Sequence, residues 1–426
     1  MKYFGTDGIR GVYGVNIDSR LAYRVGLALA SSFGEGDYVV GRDTRTSGEA
    51  LTSALCSGLI DGGVNVVLAG IIPTPAVSYF TKALNAVCGV VISASHNPPE
   101  YNGIKVFGFG GIKPDEQIEG VIEHFIDCAT PSVKRGFYRC LQGAEEQYIK
   151  HLKGCVNGDL TGLRVCIDCA YGASYSVAES AFSSLGADVC AYNAQPCGER
   201  INQGVGALHP SFIAKRCRQS SCDLGFAFDG DADRVSVVYG GEELDGDSVL
   251  YNLALAVGAR GAVVGTVLSN SALEQGLQGL GIEFKRAPVG DKHVSEMMRE
   301  HSSNLGGEQS GHYVLSDFAA TGDGILTALV LSRYLWDGVG LKSPRKLDLV
   351  AQETRSFDIS HVDISQPGLQ DLINASQRLL YGKGRLIVRR SGTEPKLRVM
   401  VESRERDLID IVMKDFSALL DITPSK

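Results

Sequence analysis

The chain has 426 residues, of which 44% are hydrophobic and 21% are charged, and its formal net charge is −8. This length predicts about three or four domains. The mildly acidic charge argues against a general nucleic-acid-binding protein, and no apolar stretch reaches the length of about 18 residues that a membrane-spanning helix needs. We therefore expect a soluble protein that binds neither nucleic acid nor membrane.

The N-terminus and the cysteines both indicate a cytoplasmic protein. Asp7 and Arg10 stand where a secretory signal would be apolar. All 11 cysteines lie at or before Cys222, and we expect reduced, mostly buried thiols. A zinc site is the alternative for Cys166, Cys169, Cys217 and Cys222. The second pair of these four, however, has the wrong spacing for a standard zinc ribbon.

Apolar runs alternate with helix-like segments in the N-terminal part of the chain. The run 37–40 is followed by a helical segment at 51–63 that ends on glycines, and then by apolar runs at 64–70 and 86–93. This order of strand, helix and strand predicts right-handed βαβ units and a mostly parallel sheet.

The alternation then restarts. Residues 163–170 predict a strand, 174–187 a helix and 188–193 a strand. The runs 226–228 and 235–240 predict two further strands on either side of an acidic turn. This pattern indicates a second α/β unit.

The C-terminal third contains one more α/β alternation, at 261–290, and then a linker-like stretch at 337–346. The pattern beyond it differs, with a helix near 368–380, two strands around the turn 391–395 and a closing helix at 405–420. This order predicts a small α+β domain.

We therefore predict an α/β protein of four domains. The first three are related α/β units with mixed, mostly parallel sheets, and the last is a smaller α+β domain. Their predicted ranges are 1–145, 146–246, 247–345 and 346–426.

The segment SASHNPPEYNGIK, residues 93–105, directly follows an apolar strand. Ligands of open α/β sheets gather beyond the carboxyl ends of the strands. Ser95 would lie there on a turn and could take up and return a phosphoryl group. His96 and Lys105 could orient phosphate or move a proton. The alternative is an ordinary Asn-Pro-Pro loop.

The segment FDGDADR, residues 228–234, places Asp229, Asp231 and Asp233 at alternating positions between two apolar strands. Carboxylates this close repel one another unless a cation neutralises them, and Mg²⁺ prefers oxygen ligands. A calcium EF-hand is excluded, because Arg234 would stand at its sixth position. An exposed acidic turn is the remaining alternative.

Two further segments carry polar groups in tight turns. GGEQSGH, residues 306–312, offers Glu308, Ser310 and His312 as partners for sugar hydroxyls, or it is only a flexible turn. RRSGTEPKLR, residues 389–398, suits a phosphate dianion or forms a charged hairpin. Its candidate ligands are Arg389, Ser391, Gly392, Thr393 and Arg398.

Two glycine-flanked clusters of arginine and aspartate complete the set. Arg10, in GTDGIRG, could reach a phosphate. Arg42 and Arg45, in GRDTR, could instead hold loops through ion pairs.

In this order, the four segments closely resemble the motifs of the α-D-phosphohexomutases, and the resemblance covers essentially the whole chain. SASHNP resembles the phosphoserine loop of that family, DGDADR its metal loop, GEQSGH its sugar-recognition loop and RRSGTEP its phosphate-binding loop. The resemblance implies four domains around a central cleft and an isomerase that moves a phosphoryl group within a hexose phosphate.

Within the family, Gln309 and the segment FGTDGIRG resemble most closely the bacterial branch that interconverts glucosamine 6-phosphate and glucosamine 1-phosphate. Lys292 and His293 depart from that branch, which usually has arginine and tyrosine there, although Lys292 could still contact a phosphate. A phosphomannomutase or phosphoglucomutase is an alternative, and a non-catalytic sugar-phosphate-binding protein is another.

The resemblance also implies roles for individual residues. Ser95 would carry the phosphate, and Asp229, Asp231 and Asp233, with an oxygen of that phosphate, would hold one Mg²⁺ per chain. Lys105 and His312 are the candidates for acid and base. A sugar 1,6-bisphosphate would be both intermediate and activator, the substrate a hexosamine phosphate, and the chain a monomer or homodimer.

The remaining residues have supporting roles in this interpretation. Arg10, His96 and Arg234 would support the phosphoserine and metal loops. The substrate would be bound by Lys292, Glu308, Ser310, Arg389, Ser391, Gly392, Thr393 and Arg398.

Overall fold

The computed structural model describes residues 2–5, 7–360, 367–390 and 395–420. The described chain forms four sheets in succession, each with its own helices. This is the predicted α/β class, with a small α+β unit at the C-terminus. The division of the chain at residues 145, 246 and 345 stays a prediction.

The first sheet has six strands in the order β1-β5-β4-β2-β3-β6. Its central strands pair in parallel, whereas β5 pairs antiparallel with both β1 and β4. The strands are β1 (Ile9–Val12), β2 (Asp37–Arg42), β3 (Asn65–Ile71), β4 (Cys88–Ile92), β5 (Tyr101–Phe107) and β6 (Tyr138–Cys140). The helices of this unit are α1 (Ser19–Phe33), α2 (Gly48–Asp61), α3 (Thr74–Ala83) and α4 (Glu116–Cys128).

The second sheet has five strands in the order β11-β10-β9-β7-β8. The strands are β7 (Arg164–Asp168), β8 (Asp188–Tyr192), β9 (Leu224–Phe228), β10 (Val235–Tyr239) and β11 (Glu242–Leu244). The helices are α5 (Ala144–Gly154), α6 (Ala178–Ser183) and α7 (Pro210–Ser220). The strands β9 and β10 flank the acidic turn, as predicted.

One predicted helix of this unit is only partly confirmed. The helix predicted over 174–187 is a 3₁₀ turn at Ala173–Ser176 followed by the short α6. The cause is tertiary: Gly172 packs so closely on the turn between β9 and β10 that a Cβ atom there would lie 2.4 Å from the carbonyl oxygen of Gly230. The α-helix therefore begins only after the backbone has left this contact, at Ala178.

The third sheet has four strands in the order β13-β12-β14-β15. The strands are β12 (Val263–Thr266), β13 (Phe284–Ala287), β14 (Leu305–Gly307) and β15 (Tyr313–Leu315). The helices are α8 (Gly246–Ala256), α9 (Ser271–Gln278), α10 (Asp291–Glu300) and α11 (Gly324–Leu335). The carboxylate of Asp323 accepts a hydrogen bond from the Leu326 amide at 2.9 Å and so caps α11.

The last unit is an antiparallel sheet of three strands in the order β16-β18-β17, covered by two helices. The elements are β16 (Gln352–Asp358), α12 (Pro367–Leu379), β17 (Gly384–Arg390), β18 (Lys396–Ser403) and α13 (Arg406–Leu420). No helix in the described ranges is long and apolar enough to cross a membrane.

The cysteines do not form the zinc site that was the alternative interpretation. Cys166 packs with Cys217 and Cys222 in one apolar cluster, whereas Cys169 lies in a different core. The reason is the alternation of a strand, which sends residues three apart to opposite faces. Each of the 11 cysteines is a free thiol.

Candidate active site

Ser95 lies in the loop that follows β4, as expected, and it is completely buried. Its backbone has a φ of 52°, in the left-handed region that residues other than glycine seldom adopt. Its amide donates a hydrogen bond to Ser93 Oγ at 2.9 Å. A strained backbone persists only where its surroundings fix it, so the loop must be held by further contacts.

Arg45 supplies those contacts. Its guanidinium is completely buried and donates to the backbone oxygens of Ser95 at 2.9 Å and Asn97 at 2.8 Å. It also bonds to the oxygen of Tyr101 at 2.9 Å and pairs with the Asp43 carboxylate at 2.9 Å. The GRDTR segment therefore holds a loop, and the loop it holds is the one that carries the serine.

The three aspartates of the second unit lie against this serine. Asp229, Asp231 and Asp233 are buried, and one oxygen from each lies within 4.8 Å of the others. Ser95 Oγ donates to Asp229 Oδ2 at 2.5 Å. Asp231 Oδ1 is buried and has no hydrogen-bond partner among the described residues. Buried carboxylate oxygens of this kind fit a divalent cation such as Mg²⁺.

The pKa values of Asp229 and Asp233 are shifted in opposite directions. Burial raises the pKa of Asp229 well above its ordinary value, and the charges of Asp233 and Asp231 raise it further. Burial also acts to raise the pKa of Asp233, but the ammonium of Lys105 and the contact with His312 hold it well below its ordinary value. Within the described chain, no other group of three or more histidine, cysteine, aspartate or glutamate side chains has its ligand atoms within 4.8 Å of one another.

Lys105 lies between two of the aspartates. Its Nζ is 2.7 Å from Asp231 Oδ2 and 2.7 Å from Asp233 Oδ2. Burial acts to lower the pKa of Lys105, but the carboxylates of Asp231 and Asp233 raise it above its ordinary value. The side chain is therefore charged at neutral pH.

The two histidines differ in environment. His312 Nδ1 lies 3.8 Å from Asp233 Oδ1, and Nε2 lies 3.5 Å from Asp291 Oδ2. Burial acts to lower the pKa of His312, but Asp233 raises it above its ordinary value. His96 Nδ1 lies 3.3 Å from Ser95 Oγ, and burial, with the neighbouring arginine charges, lowers its pKa to about 3. His96 is therefore neutral at physiological pH.

Two arginines are present beside the serine. Arg10 Nη1 donates to Asn97 Oδ1 at 3.4 Å, and the same guanidinium pairs with Asp7. Arg234 Nε lies 3.8 Å from Asp233 Oδ1. The Nε atoms of both arginines are buried and lack a hydrogen-bond acceptor in the described parts of the chain. Donors of this kind are suited to an anionic group.

The third unit contributes the hairpin between β14 and β15. Glu308 is buried, and its Oε1 accepts a hydrogen bond from the Gly290 amide at 3.0 Å. Gln309 and Ser310 are exposed. Lys292 is buried, and its Nζ bonds to Glu119 Oε2 at 2.7 Å. The structure thus places Lys292 in an ion pair between the third and first units, and its contact with substrate stays a prediction.

The C-terminal unit presents Arg389 and Arg398 opposite each other on β17 and β18. Burial lowers the pKa of Arg389, and the charge of Arg398 lowers it further. Two cations this close are suited to an anionic partner. The predicted ligands Ser391, Gly392 and Thr393 lie outside the described residues.

Three charged residues of this site, Asp7, Lys113 and Asp291, were not predicted from the sequence. Lys113 Nζ bonds to Asp7 Oδ1 at 2.7 Å and also pairs with the carboxylate of Asp291. Asp7 lies 4.0 Å from Lys105. Asp7 lies in the segment 5–11 and Asp291 in the segment 289–291, and only the folded chain brings Lys113 into contact with both.

The chain matches the family of phosphoglucomutases and phosphomannomutases over almost its full length. The matched parts are alpha/beta/alpha domain I at residues 1–131, domain II at 146–242, domain III at 245–349 and the C-terminal domain at 353–419. The chain belongs to this family, whose members are phosphohexomutases.

Curated relatives carry a more specific name. Phosphoglucosamine mutase of Clostridioides difficile (strain 630) is 39% identical over 446 residues, covering 98% of each chain. Phosphoglucosamine mutase of Thermotoga maritima is 41% identical over 438 residues, covering 99% of each chain.

Solved structures share the fold. A phosphoglucomutase/phosphomannomutase family protein from Burkholderia thailandensis superimposes with a TM-score of 0.81 at 25% identity, covering 98% of this chain and 96% of that one. An N-acetylphosphoglucosamine mutase from Aspergillus fumigatus, in complex with GlcNAc-6P and magnesium, has a TM-score of 0.65 at 17% identity, with coverages of 98% and 95%.

Proposed function

We propose that this chain is a phosphoglucosamine mutase that interconverts glucosamine 6-phosphate and glucosamine 1-phosphate through a phosphorylated Ser95. The observation that carries the proposal is the contact of the buried Ser95 hydroxyl with Asp229, beside an unpartnered oxygen of Asp231. Relatives of that name, about 40% identical over nearly the whole chain, support the amino-sugar substrate. In keeping with this function, we also propose a cytoplasmic location.

The metal in this proposal is Mg²⁺. Asp229, Asp231 and Asp233, together with an oxygen of the Ser95 phosphate, would hold it. When bound, it would supply positive charge that offsets the charge of the transferring phosphoryl group. Arg10 and Arg234 lie beside the same serine and would add positive charge to the phosphate.

The chain's own residues then account for the transfer. The free hydroxyl of the sugar monophosphate attacks the phosphorus of phospho-Ser95, a new P–O bond forms, and the bond to Ser95 Oγ breaks. Lys105 and His312 contact the same carboxylate, and between them they donate a proton to the leaving oxygen and accept one from the attacking hydroxyl. The product is a sugar 1,6-bisphosphate.

The bisphosphate then turns over and returns its other phosphate to Ser95. Glu308 and Ser310 would hold ring hydroxyls in both orientations. Arg389 and Arg398 would bind the phosphate that is not reacting, together with Ser391, Gly392 and Thr393. The same bisphosphate, added in trace amounts, would activate unphosphorylated chains.

The test compares glucosamine 6-phosphate, glucose 1-phosphate and mannose 1-phosphate at equal concentration with Mg²⁺ and a trace of hexose bisphosphate. We expect turnover to be fastest for glucosamine 6-phosphate. A preference for glucose or mannose phosphate would agree with the proposed mechanism but would contradict glucosamine phosphate as the substrate. Intact-mass measurement should show a fraction of the protein heavier by one phosphate on Ser95, and its absence after incubation with bisphosphate would overturn the phosphoserine.

A further inference from the structure

A cavity of about 560 Å³ lies where the first three units meet. Its walls come from α3, the loop before Lys113, α5, α10 and the segment between β15 and α11. The side chains of the candidate active site do not line it. A volume of this size is typical of pockets that bind small organic molecules.

The walls of this cavity are mainly apolar and aromatic, with several serine side chains among them. The rings of Tyr79 and His151 stack with their centroids 4.2 Å apart, and Tyr148 lies beside them. Met298 and Phe318 face the same space from the third unit. Burial lowers the pKa of His151, so its ring is neutral and forms part of an aromatic wall.

The charges that line the cavity are mainly positive. Lys82 and Arg299 are exposed and have no ion-pair partner in the described ranges of the chain. The carboxylate that lines the cavity, Asp323, is buried and already accepts hydrogen bonds from the Tyr148 hydroxyl and the Leu326 amide. Two unpaired cations on a chain with a net charge of −8 form a local site for an anion.

Three elements of the cavity wall extend directly to the active site. Helix α3 begins at Thr74, whose Oγ1 donates to Asp231 Oδ2 at 2.5 Å, and ends at the cavity. Helix α10 begins at Asp291, which pairs with Lys113, and lines the cavity from Ser295 onward. The loop at Ile112 lines the cavity immediately before Lys113.

We propose that this cavity is an effector site for an organic anion with a flat aromatic body. The aromatic body would pack against the rings of Tyr79, Tyr148 and His151, and its acidic group would contact Lys82 and Arg299. Occupation would act on α3 and α10, whose first residues contact Asp231 and Lys113, and so change turnover at the metal loop. The kinetic part of this inference rests on the proposed mutase function, whereas the binding part does not.

Anilinonaphthalene sulfonate, an aromatic anion that fluoresces in apolar surroundings, is the probe. We expect saturable binding to the folded protein. Binding should weaken about tenfold or more in the double variant Lys82→Gln/Arg299→Gln, because two charge-assisted contacts are lost. Lys150→Gln/Lys414→Gln is the matched control, since it also removes two positive charges, from exposed positions of α5 and α13 that do not line the cavity. This variant should bind the probe like the unchanged protein.

A second variant, Ala83→Trp, retains both charges and places bulk at the exposed end of α3. It should also weaken binding. Equal affinity of the double variant and the unchanged protein for the probe would contradict the proposed anion site. Complete displacement of the probe by glucosamine 6-phosphate, with an apparent probe Kd that rises without reaching a plateau, would place the probe in the active site and would likewise contradict the proposal.

The coupling is tested by mutase kinetics at saturating probe. We expect kcat/KM to change severalfold in the unchanged protein and not in Lys82→Gln/Arg299→Gln. Unchanged kinetics at full occupancy would overturn the effector role. A chain without mutase activity would contradict the proposed function instead, and the fluorescence titration would still decide whether the cavity binds the anion.

Discussion

The first three units and the C-terminal unit are built differently. One apolar core runs through the first three sheets and includes Phe80, Phe226 and Leu329. The C-terminal unit has a separate core, which contains Val399 and Phe416. Packed cores resist deformation, so the first three units behave as one body, while the last can be displaced without breaking apolar packing.

The junction to the C-terminal unit is correspondingly polar. Arg385 donates to the carbonyl oxygen of Ser269 at 2.9 Å, and Asn270 Nδ2 donates to the oxygen of Val350 at 2.8 Å. Glu402 accepts from the Ser271 amide at 3.2 Å. Under the proposed function, the rigid body would hold the groups that transfer phosphate, and the C-terminal unit would bind the phosphate that does not react.

The largest effect should come from the centre of the rigid body. Ser95→Ala removes the oxygen that would carry the phosphate, so we expect no detectable turnover and no phosphorylated fraction by intact mass. Circular dichroism should show an unchanged fold. The control Ser57→Ala, on the exposed face of α2, should leave turnover unchanged. Near-normal rates in Ser95→Ala would contradict the phosphoserine.

Arg45→Lys should have the next largest effect. A lysine cannot replace the planar fork that bonds to Ser95, Asn97 and Asp43, so the serine loop should shift. We expect kcat to fall by about a hundredfold with little change in KM, as for a small misplacement of a reacting group. Arg42→Lys, in the same segment, is the control. A rise in KM without a fall in kcat would show that Arg45 acts on binding.

Phe416→Ala tests the independence of the two cores. Loss of this buried ring should destabilise the C-terminal unit by about 3–5 kcal/mol. Hydrogen exchange should increase in peptides from that unit and not in β4 or β9. Phe226→Ala, in the shared core, should instead raise exchange in both of those strands. Equal changes across the whole chain in both variants would mean that the protein unfolds as one cooperative body.

The smallest effect should arise at the polar junction. Arg385→Gln removes an ion pair with Glu402 at 2.8 Å and the bond to the Ser269 oxygen. Because partly exposed ion pairs contribute only about 1 kcal/mol, we expect KM for the sugar phosphate to rise a few-fold and kcat to stay within twofold. A large fall in kcat would show that the junction also positions the transferring groups.

The local parts of the site were the most predictable from the sequence. Ser95 follows β4, and the aspartates lie between β9 and β10, because alternating apolar runs already define those strands. The contacts of Lys113 were not predictable, since its partner Asp291 lies 178 positions away along the chain. The helix predicted over 174–187 is shorter in the structure for a similar reason, because the close approach of Gly172 to the metal loop overrides local preference.

Lys105 has a consequence for how the protein is made in the cell. Its ammonium already separates two of the three acidic side chains, so their mutual repulsion is offset by the chain itself. A newly synthesised polypeptide can therefore complete its fold before it acquires an ion or a phosphate. The supply of magnesium would then determine when a molecule becomes active, and not how many molecules accumulate.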